Sequence, residues 1–272
     1  MPEGDTVFQV AHTLDQALRG QIVRRSQFRV PRLAVADLSG QIVAGCAPRG
    51  KHLLLRTDAG RTLHTHLMMH GSWVLQKPGG RWRGGPGHEV RVVLETDAWV
   101  ALGFRLGVVE LFDTTEEAAR LGHLGPDLLG SDWDAAEAAR RLRRRPERAI
   151  SEALLDQTCL AGIGNIYKSE TLFLEGIHPL RPVSQIEEGA LDAVVARAHR
   201  LLHFAVKHGR QFTTGMYRER FYVFERTGRP CRRCRTPIAE RRGPPVGVSR
   251  ITDPDIDRAA RITYWCPRCQ PE

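Results

Sequence analysis

The sequence predicts an α+β chain of several domains: a leading helix, a β-rich domain, a helical domain and a small cysteine module. Three observations predict this order. Apolar residues recur at helical spacing up to Gly20, short β-rich runs broken by Gly, Pro and Asp fill Gln21 to about Asp113, and helical periodicity returns past Thr115 before two C-x-x-C pairs close the chain. No internal repeat interrupts the sequence.

The first element carries Val7, Val10, Ala11, Leu14, Ala17 and Leu18 on one face, with Gly20 as its C-cap. Its start is expected at Pro2 or Glu3, because proline suits a first turn whose N–H would go unused. The opening MPEG also admits a second role, in which the terminal amine is itself a reagent. The runs HLLLRT, TLHTHLMM, GSWVLQ and EVRVVLET read as strands of a sandwich or barrel, and GGRWRGGPGH as a flexible loop with cationic side chains. In SDWDAAEAARRLRRRPER, Ser131 or Asp132 is the expected N-cap and Pro146 the break. ISEALLDQTCLAGIGNIYKSETLFLEGI reads as a helix, a tight turn at Leu160 to Asn165, and a second helix to Leu174; a longer helix runs from Gly189 to His208. The expected domains are 1–115, 116–224 and 225–272.

Forty Lys plus Arg against thirty-one Asp plus Glu leave a net charge of +9 and a pI of about 9.7, which favours a polyanionic partner such as nucleic acid. No apolar run approaches the ~20 residues of a spanning helix, and no basic segment precedes an apolar one, so a cytosolic, nucleoid-associated protein is expected. Six cysteines in such a chain argue against a disulfide framework.

Four of them, Cys231, Cys234, Cys266 and Cys269, form two pairs on knuckle-like turns, a set that completes a tetrahedral zinc site. A redox dithiol would come singly beside a βαβ unit. The metal is expected to supply much of the folding energy of so small a module. Cys46 and Cys159 stand alone among apolar residues and read as buried thiols. Arg229, Arg232, Arg233, Arg235, Arg241, Arg242, Arg261 and Arg268, with the Arg140 to Arg148 cluster, suit phosphates, although charge runs are also ordinary solvated faces. In LAGIGN, Gly162 and Gly164 would free two amides which, with a helix N-terminus and the Asn165 side chain, could cradle a phosphate; glycines equally mark plain turns. Lys51 at a strand start reads by itself as a solvated charge. His64, His66 and His70 alternate without a neighbouring carboxylate, which speaks against a metal there.

With these residues in view, the chain resembles the formamidopyrimidine-DNA glycosylase and endonuclease VIII family of base-excision repair, nearer the endonuclease VIII branch. MPEG, RGKHLLL, HLMMHGSW, LLDQTCLAGIGNIYKSETLF, GRPCRRC and RITYWCPRCQ carry the resemblance over the whole length. It implies an N-terminal β-sandwich with its leading helix, a helix-two-turn-helix domain and a C-terminal zinc finger holding one structural Zn2+. It implies a monomer that acts on damaged double-stranded DNA, with single strands as an alternative, and that removes oxidised bases and nicks the strand.

In that reading Pro2, after loss of Met1, is the nucleophile. A terminal amine titrates near ~8 against ~10.4 for lysine, so part of it is neutral at cytosolic pH. Glu3 would be the general acid/base, its plainer role being a first-turn acid on the helix dipole. The resemblance further implies phosphate contact and strand cleavage at Lys51, phosphate binding at Asn165 and δ-elimination at Arg261. It implies DNA contacts at His66, His123 and Gly164, and a void-filling loop of Met68, Met69 and His70, whose plainer reading is core methionine.

Three features depart from the family. Thr6 stands where many relatives have an acid, with Asp5 before it; Ser151 stands where oxoguanine-specific members carry a lysine, which favours oxidised pyrimidines. Thirty-one residues separate Cys234 from Cys266, and the excess is expected at 243–257. A DNA-damage binder with little glycosylase activity is the alternative function. An RNA-binding zinc ribbon would explain the charge and the cysteines but not MPEG.

Overall fold

The structure is a computed structural model that describes residues 2–242 and 262–272; the expected insertion and Arg261 lie outside the described residues. The chain forms two compact units, Met1–Pro2 with Val7–His123, and Glu3–Thr6 with Leu124–Glu272. Helix α1 (Gly4–Leu18) begins two residues later than Pro2, because Glu3 is committed to another helix, as described below.

In the first unit, Val7, Ala11, Leu14 and Leu18 of α1 face a core shared by two antiparallel four-stranded sheets. Strands β1 (Arg25–Phe28), β6 (Val90–Glu95), β7 (Val100–Phe104) and β5 (Ser72–Gln76) form one sheet in that order. Strands β2 (Val43–Arg49), β3 (His52–Thr57), β4 (Arg61–His66) and β8 (Val108–Asp113) form the other. This is a sandwich rather than a barrel. Leu53, Leu55 and Leu63 from one sheet meet Val92, Leu94 and Ala101 from the other, and burying each leucine or valine stabilises the fold by about 1.5–3 kcal/mol.

The register shift at Val90/Val92 turns Val90 to the outer face with Val93, where Leu102 and Phe104 join them. The segment expected as a flexible cationic loop packs on that face instead. Trp82 covers the cluster, the Arg29 guanidinium lies 4.7 Å from its ring centre, and Gly84 at φ 106° would place a Cβ 2.6 Å from Val74 Cγ2. A short helix α2 (Glu117–Leu121) closes the unit.

The second unit holds α3 (Ala135–Leu142), α4 (Ile150–Leu155), α5 (Asn165–Leu174) and α6 (Glu188–His208) around one core. Asp134, not Ser131 or Asp132, caps α3: its backbone is extended and its carboxylate accepts from Glu137 N at 2.9 Å. Ser151 is buried within α4. The arginine cluster that starts in the last turn of α3 is largely ion-paired, with Glu137 holding Arg140 and Arg141 at 2.6 Å and Asp156 holding Arg148 at 2.8 Å. Helix α5 is buried from Asn165 to Phe173 on every side, despite carrying Lys168 and Glu170. The module beyond it contains a hairpin of β9 (Ala239–Arg242) and β10 (Ile262–Trp265). No helix among the described residues is long and apolar enough to cross a membrane.

Candidate active site

Glu3 is completely buried in the second unit, where it caps α5 from across the sequence. The N-cap position of α5 is Gly164, which has no side chain to satisfy the exposed amides of the first turn. Glu3 takes that role: Oε2 accepts from Gly164 N at 2.8 Å and Tyr167 N at 3.4 Å, and Oε1 from Ile166 N at 2.7 Å. A Cβ on Gly164 would fall 2.5 Å from the Glu3 carboxyl carbon, so the glycine is required by the close approach. Gly4 N also donates to Gly162 O at 2.8 Å. The segment after Pro2 is thus fastened by both side chain and main chain.

This arrangement changes the expected phosphate cradle. Gly162 N donates to Gln157 Oε1 at 3.0 Å and Gly164 N to Glu3, so both amides assigned to an anion serve the protein. The plainer reading of Glu3 also changes, since the helix dipole it meets is that of α5 rather than of α1.

Around this cap lies a network of buried polar groups. Tyr167 Oη donates to Asp5 Oδ2 at 2.8 Å, and Gln211 Nε2 donates to Asp5 Oδ1 at 3.1 Å and Thr6 Oγ1 at 3.2 Å. Burial pushes the Asp5 carboxyl up, against the downward pull of Gln211 and Tyr167, and pushes the Tyr167 hydroxyl well above its ordinary range. Lys168 Nζ donates to Asn165 Oδ1 at 2.5 Å and to Thr263 Oγ1 of β10 at 3.0 Å. Burial lowers this ammonium to about 7, opposed by the charge of Glu3. Glu170 accepts from Thr213 Oγ1 and from the backbone N–H groups of Tyr222, Val223 and Phe224, fixing the strand of chain that leads to the cysteine module.

In the first unit, Lys51 occupies a two-residue hairpin between paired Arg49 and His52, with Gly50 at φ 58° making the turn. Lys51 is only 8 % exposed, so it is not the solvated charge that its position at a strand start suggests. His66 ends β4, and its Nδ1 accepts from Met68 N at 2.9 Å, which holds Met68 in a left-handed conformation at φ 51°. Leu67 joins the sandwich core, whereas Met68 and Met69 are half-buried and His70 is exposed. Neither methionine is core.

His70 lies beyond the strand, so the expected row of three histidines is instead His52, His64 and His66. His52 Nδ1 and His64 Nε2 are 2.8 Å apart, and His64 Nδ1 lies 3.1 Å from Glu110 Oε2, the neighbouring carboxylate that the sequence does not reveal. Burial lowers the His64 imidazole against the upward pull of Glu110. His123 is exposed after α2.

The four module cysteines converge, with all four sulfurs within 4.8 Å of one another. Cys231 and Cys269 Sγ are 3.9 Å apart and Cys234 and Cys266 Sγ 3.3 Å. A tetrahedron of thiolates around zinc has edges of ~3.8 Å, so the donor set fits that ion in type and spacing. Both knuckles close by the same bond, Arg235 N to Cys231 O and Gln270 N to Cys266 O. Gln270 is buried, accepts from Cys266 N and donates to Ile177 O, tying the module to the helical core. Arg232 is paired with Glu219, and Arg233 lies over the Phe173 ring at 4.6 Å, so these two are structural. Cys46 and Cys159 are buried free thiols, the latter pushed up to about 11 by burial.

Residues 1–106 match the formamidopyrimidine-DNA glycosylase N-terminal domain and residues 124–216 the formamidopyrimidine-DNA glycosylase H2TH domain. A probable endonuclease 8 2 of Streptomyces coelicolor is 47% identical over 270 residues, covering 99% of this chain and 94% of that one. The chain belongs to the formamidopyrimidine-DNA glycosylase and endonuclease VIII family. A DNA-(apurinic or apyrimidinic site) lyase Nei2 of Mycolicibacterium smegmatis is 40% identical over 99% of both chains. A Lactococcus lactis formamidopyrimidine-DNA glycosylase, solved bound to DNA containing an abasic site, superimposes with a TM-score of 0.81 at 25% identity, covering 99% of this chain and all of that one. The endonuclease 8 relatives are more similar than the formamidopyrimidine-DNA glycosylases, such as that of Rhodospirillum rubrum at 35% identity.

Within this family chain, sequence reasoning passed over Asp5, Tyr167, Lys168, Glu170 and Gln270. The sequence carries no local signal for them: Asn165, Lys168 and Ser169 fall at i, i+3 and i+4, the spacing of a solvated stripe, yet all three are buried.

Proposed function

We propose that the chain is a bifunctional DNA glycosylase and abasic-site lyase of base-excision repair, acting on oxidised bases and preferentially on pyrimidines. Residues 1–115 supply the nucleophile, 116–224 hold the DNA and 225–272 form the finger. The observation that carries the reading is Glu3. A residue peptide-bonded to Pro2 is wholly buried and held by three N–H groups, an unusual investment for a terminus unless the terminal amine has to be placed.

In the proposed chemistry, Pro2 loses Met1, and its secondary amine attacks C1′ of a flipped-out nucleotide as the damaged base departs with a proton. The sugar ring then opens as O4′ takes a proton and the C1′–O4′ bond breaks, and the iminium left at C1′ is permanently charged and makes the C2′ proton acidic. Removal of that proton expels the 3′ phosphate, a second elimination expels the 5′ phosphate, and water frees the amine. Glu3 moves protons at the sugar and leaving base, Lys51 and Asn165 contact phosphates, and Arg261 assists the second elimination. Met68, Met69 and His70 fill the gap in the duplex, with His66 fixing their backbone; the exposed His123 lies along the DNA.

Cys231, Cys234, Cys266 and Cys269 hold one structural Zn2+, which contributes folding energy to the finger. The protein acts as a monomer in the cytoplasm on damaged duplex DNA. Borohydride trapping on abasic-site DNA tests the reading. A covalent adduct that is lost when extra residues are retained before Pro2 is expected, and no adduct with any lesion would leave only a damage binder.

A further inference from the structure

Lys168 is fully buried, is charged at some cost, and has no part in the chemistry above. On α5 it stands one turn after Asn165, a spacing at which side chains meet. We propose that Lys168 is a positioning residue for Asn165: it holds Oδ1 of the carboxamide, so that Asn165 meets a DNA phosphate with its Nδ2 donors, and it joins that setting to the finger through Thr263. The proposal rests on the reading of Asn165 as a phosphate contact.

In its ammonium form Lys168 has donors and no acceptor, so an oxygen, not an amide nitrogen, faces it at 2.5 Å. With Oδ1 so placed, the other arm of the carboxamide can only donate. The non-bridging oxygens of a phosphate only accept. A flipped Asn165 would turn a carbonyl oxygen toward those oxygens, which is repulsive. Thr263 Oγ1, 3.0 Å from Nζ, is two residues beyond Arg261 in sequence, so one buried cation touches both the helix that carries Asn165 and the strand that follows Arg261. An apolar residue would fill the same space without the desolvation cost.

The test is a double-mutant cycle read as affinity for a duplex carrying a tetrahydrofuran abasic analogue, at several salt concentrations. Asn165→Ala is expected to weaken binding by roughly tenfold and Lys168→Met by about fivefold, the loss of a hydrogen bond to a charged acceptor. The double variant should bind no worse than Asn165→Ala alone. The slope of log K against log salt should be unchanged in Lys168→Met, because a residue that acts through a neutral amide releases no counterion.

Independent, multiplicative losses, an unchanged affinity in Lys168→Met, or a slope reduced by about one unit, as for a direct phosphate contact, would overturn the proposal while leaving Asn165 in place. An unchanged affinity in Asn165→Ala would overturn the phosphate reading itself and the proposal with it. Zinc content and circular dichroism confirm folding. If Lys168→Met does not fold, Lys168→Gln, which can present either a donor or an acceptor to Asn165, completes the same cycle with the same expected outcomes.

Discussion

At the scale of single residues, Glu3 joins stability to chemistry. Three buried N–H groups converge on its carboxylate, and leaving such donors unsatisfied costs about 1–3 kcal/mol each. Glu3→Gln should therefore lower the unfolding free energy by ~2–3 kcal/mol, because an NH2 replaces one accepting oxygen. Urea unfolding measures this, and unchanged stability would mean that the cap carries no load. Loss of activity in that variant must be judged against this loss of stability. Lys168 gives a prediction in pH. Its folded value, about 7, lies below its unfolded value, so the unfolded chain binds more protons between about 7 and ~10.4, and stability rises with pH in that window. The stability of wild type relative to Lys168→Met should accordingly increase from pH 7 to pH 9; a constant difference would mean that burial does not lower the Lys168 ammonium. The importance of Glu3 was legible from its place in MPEG. Its capping role was not, because the partner amides lie more than 160 positions away, at a turn that reads by itself as an anion site.

At the scale of elements, what the sequence made legible were those whose signals are local: the stripe of α1, the alternating strands of the sandwich, the LAGIGN turn and the cysteine knuckles. Elements whose reasons are tertiary escaped. Helix α5 buries two charges, Lys168 and Glu170, whose partners lie far away in sequence, and Trp82 turns an apparently free cationic loop into a cover for the outer face of a sheet. The cysteine hairpin yields two predictions. Chelation, or Cys234→Ser, is expected to abolish zinc binding by the four-cysteine site and lower affinity for abasic DNA, while the thermal transition of the β-sandwich is retained; atomic absorption with calorimetry checks this. Arg242 and Ile262 are direct cross-strand partners, so the chain leaves and re-enters the hairpin at one point. Deleting 244–257 leaves five residues to make the connection, a length ordinary hairpins use. That variant should keep one zinc per chain and most abasic-site cleavage. Loss of either would show that the removed segment belongs to the working finger.

At the scale of the whole molecule, the excess of nine positive charges is not spread evenly in its availability. Arg141, Arg148 and Arg232 are half-buried and held by carboxylates, whereas Arg229, Arg235, Arg241, Arg242 and Arg268 are exposed. Composition predicted a polyanion partner correctly in kind, but which arginines are spent inside the fold is a tertiary fact. Neutralising about four phosphates would cost roughly a hundredfold in affinity between 50 and 200 mM salt, measurable by fluorescence anisotropy; a salt-independent affinity would exclude a groove of this kind. The central claim is that the amine of Pro2 forms the covalent link to damaged DNA. The most direct measurement is peptide mapping by mass spectrometry of the borohydride-reduced adduct with abasic-site DNA. A sugar remnant is expected on the secondary amine of the peptide that begins at Pro2, and a remnant on Lys51, Lys168 or any other amine in its place would rule out Pro2 as the nucleophile.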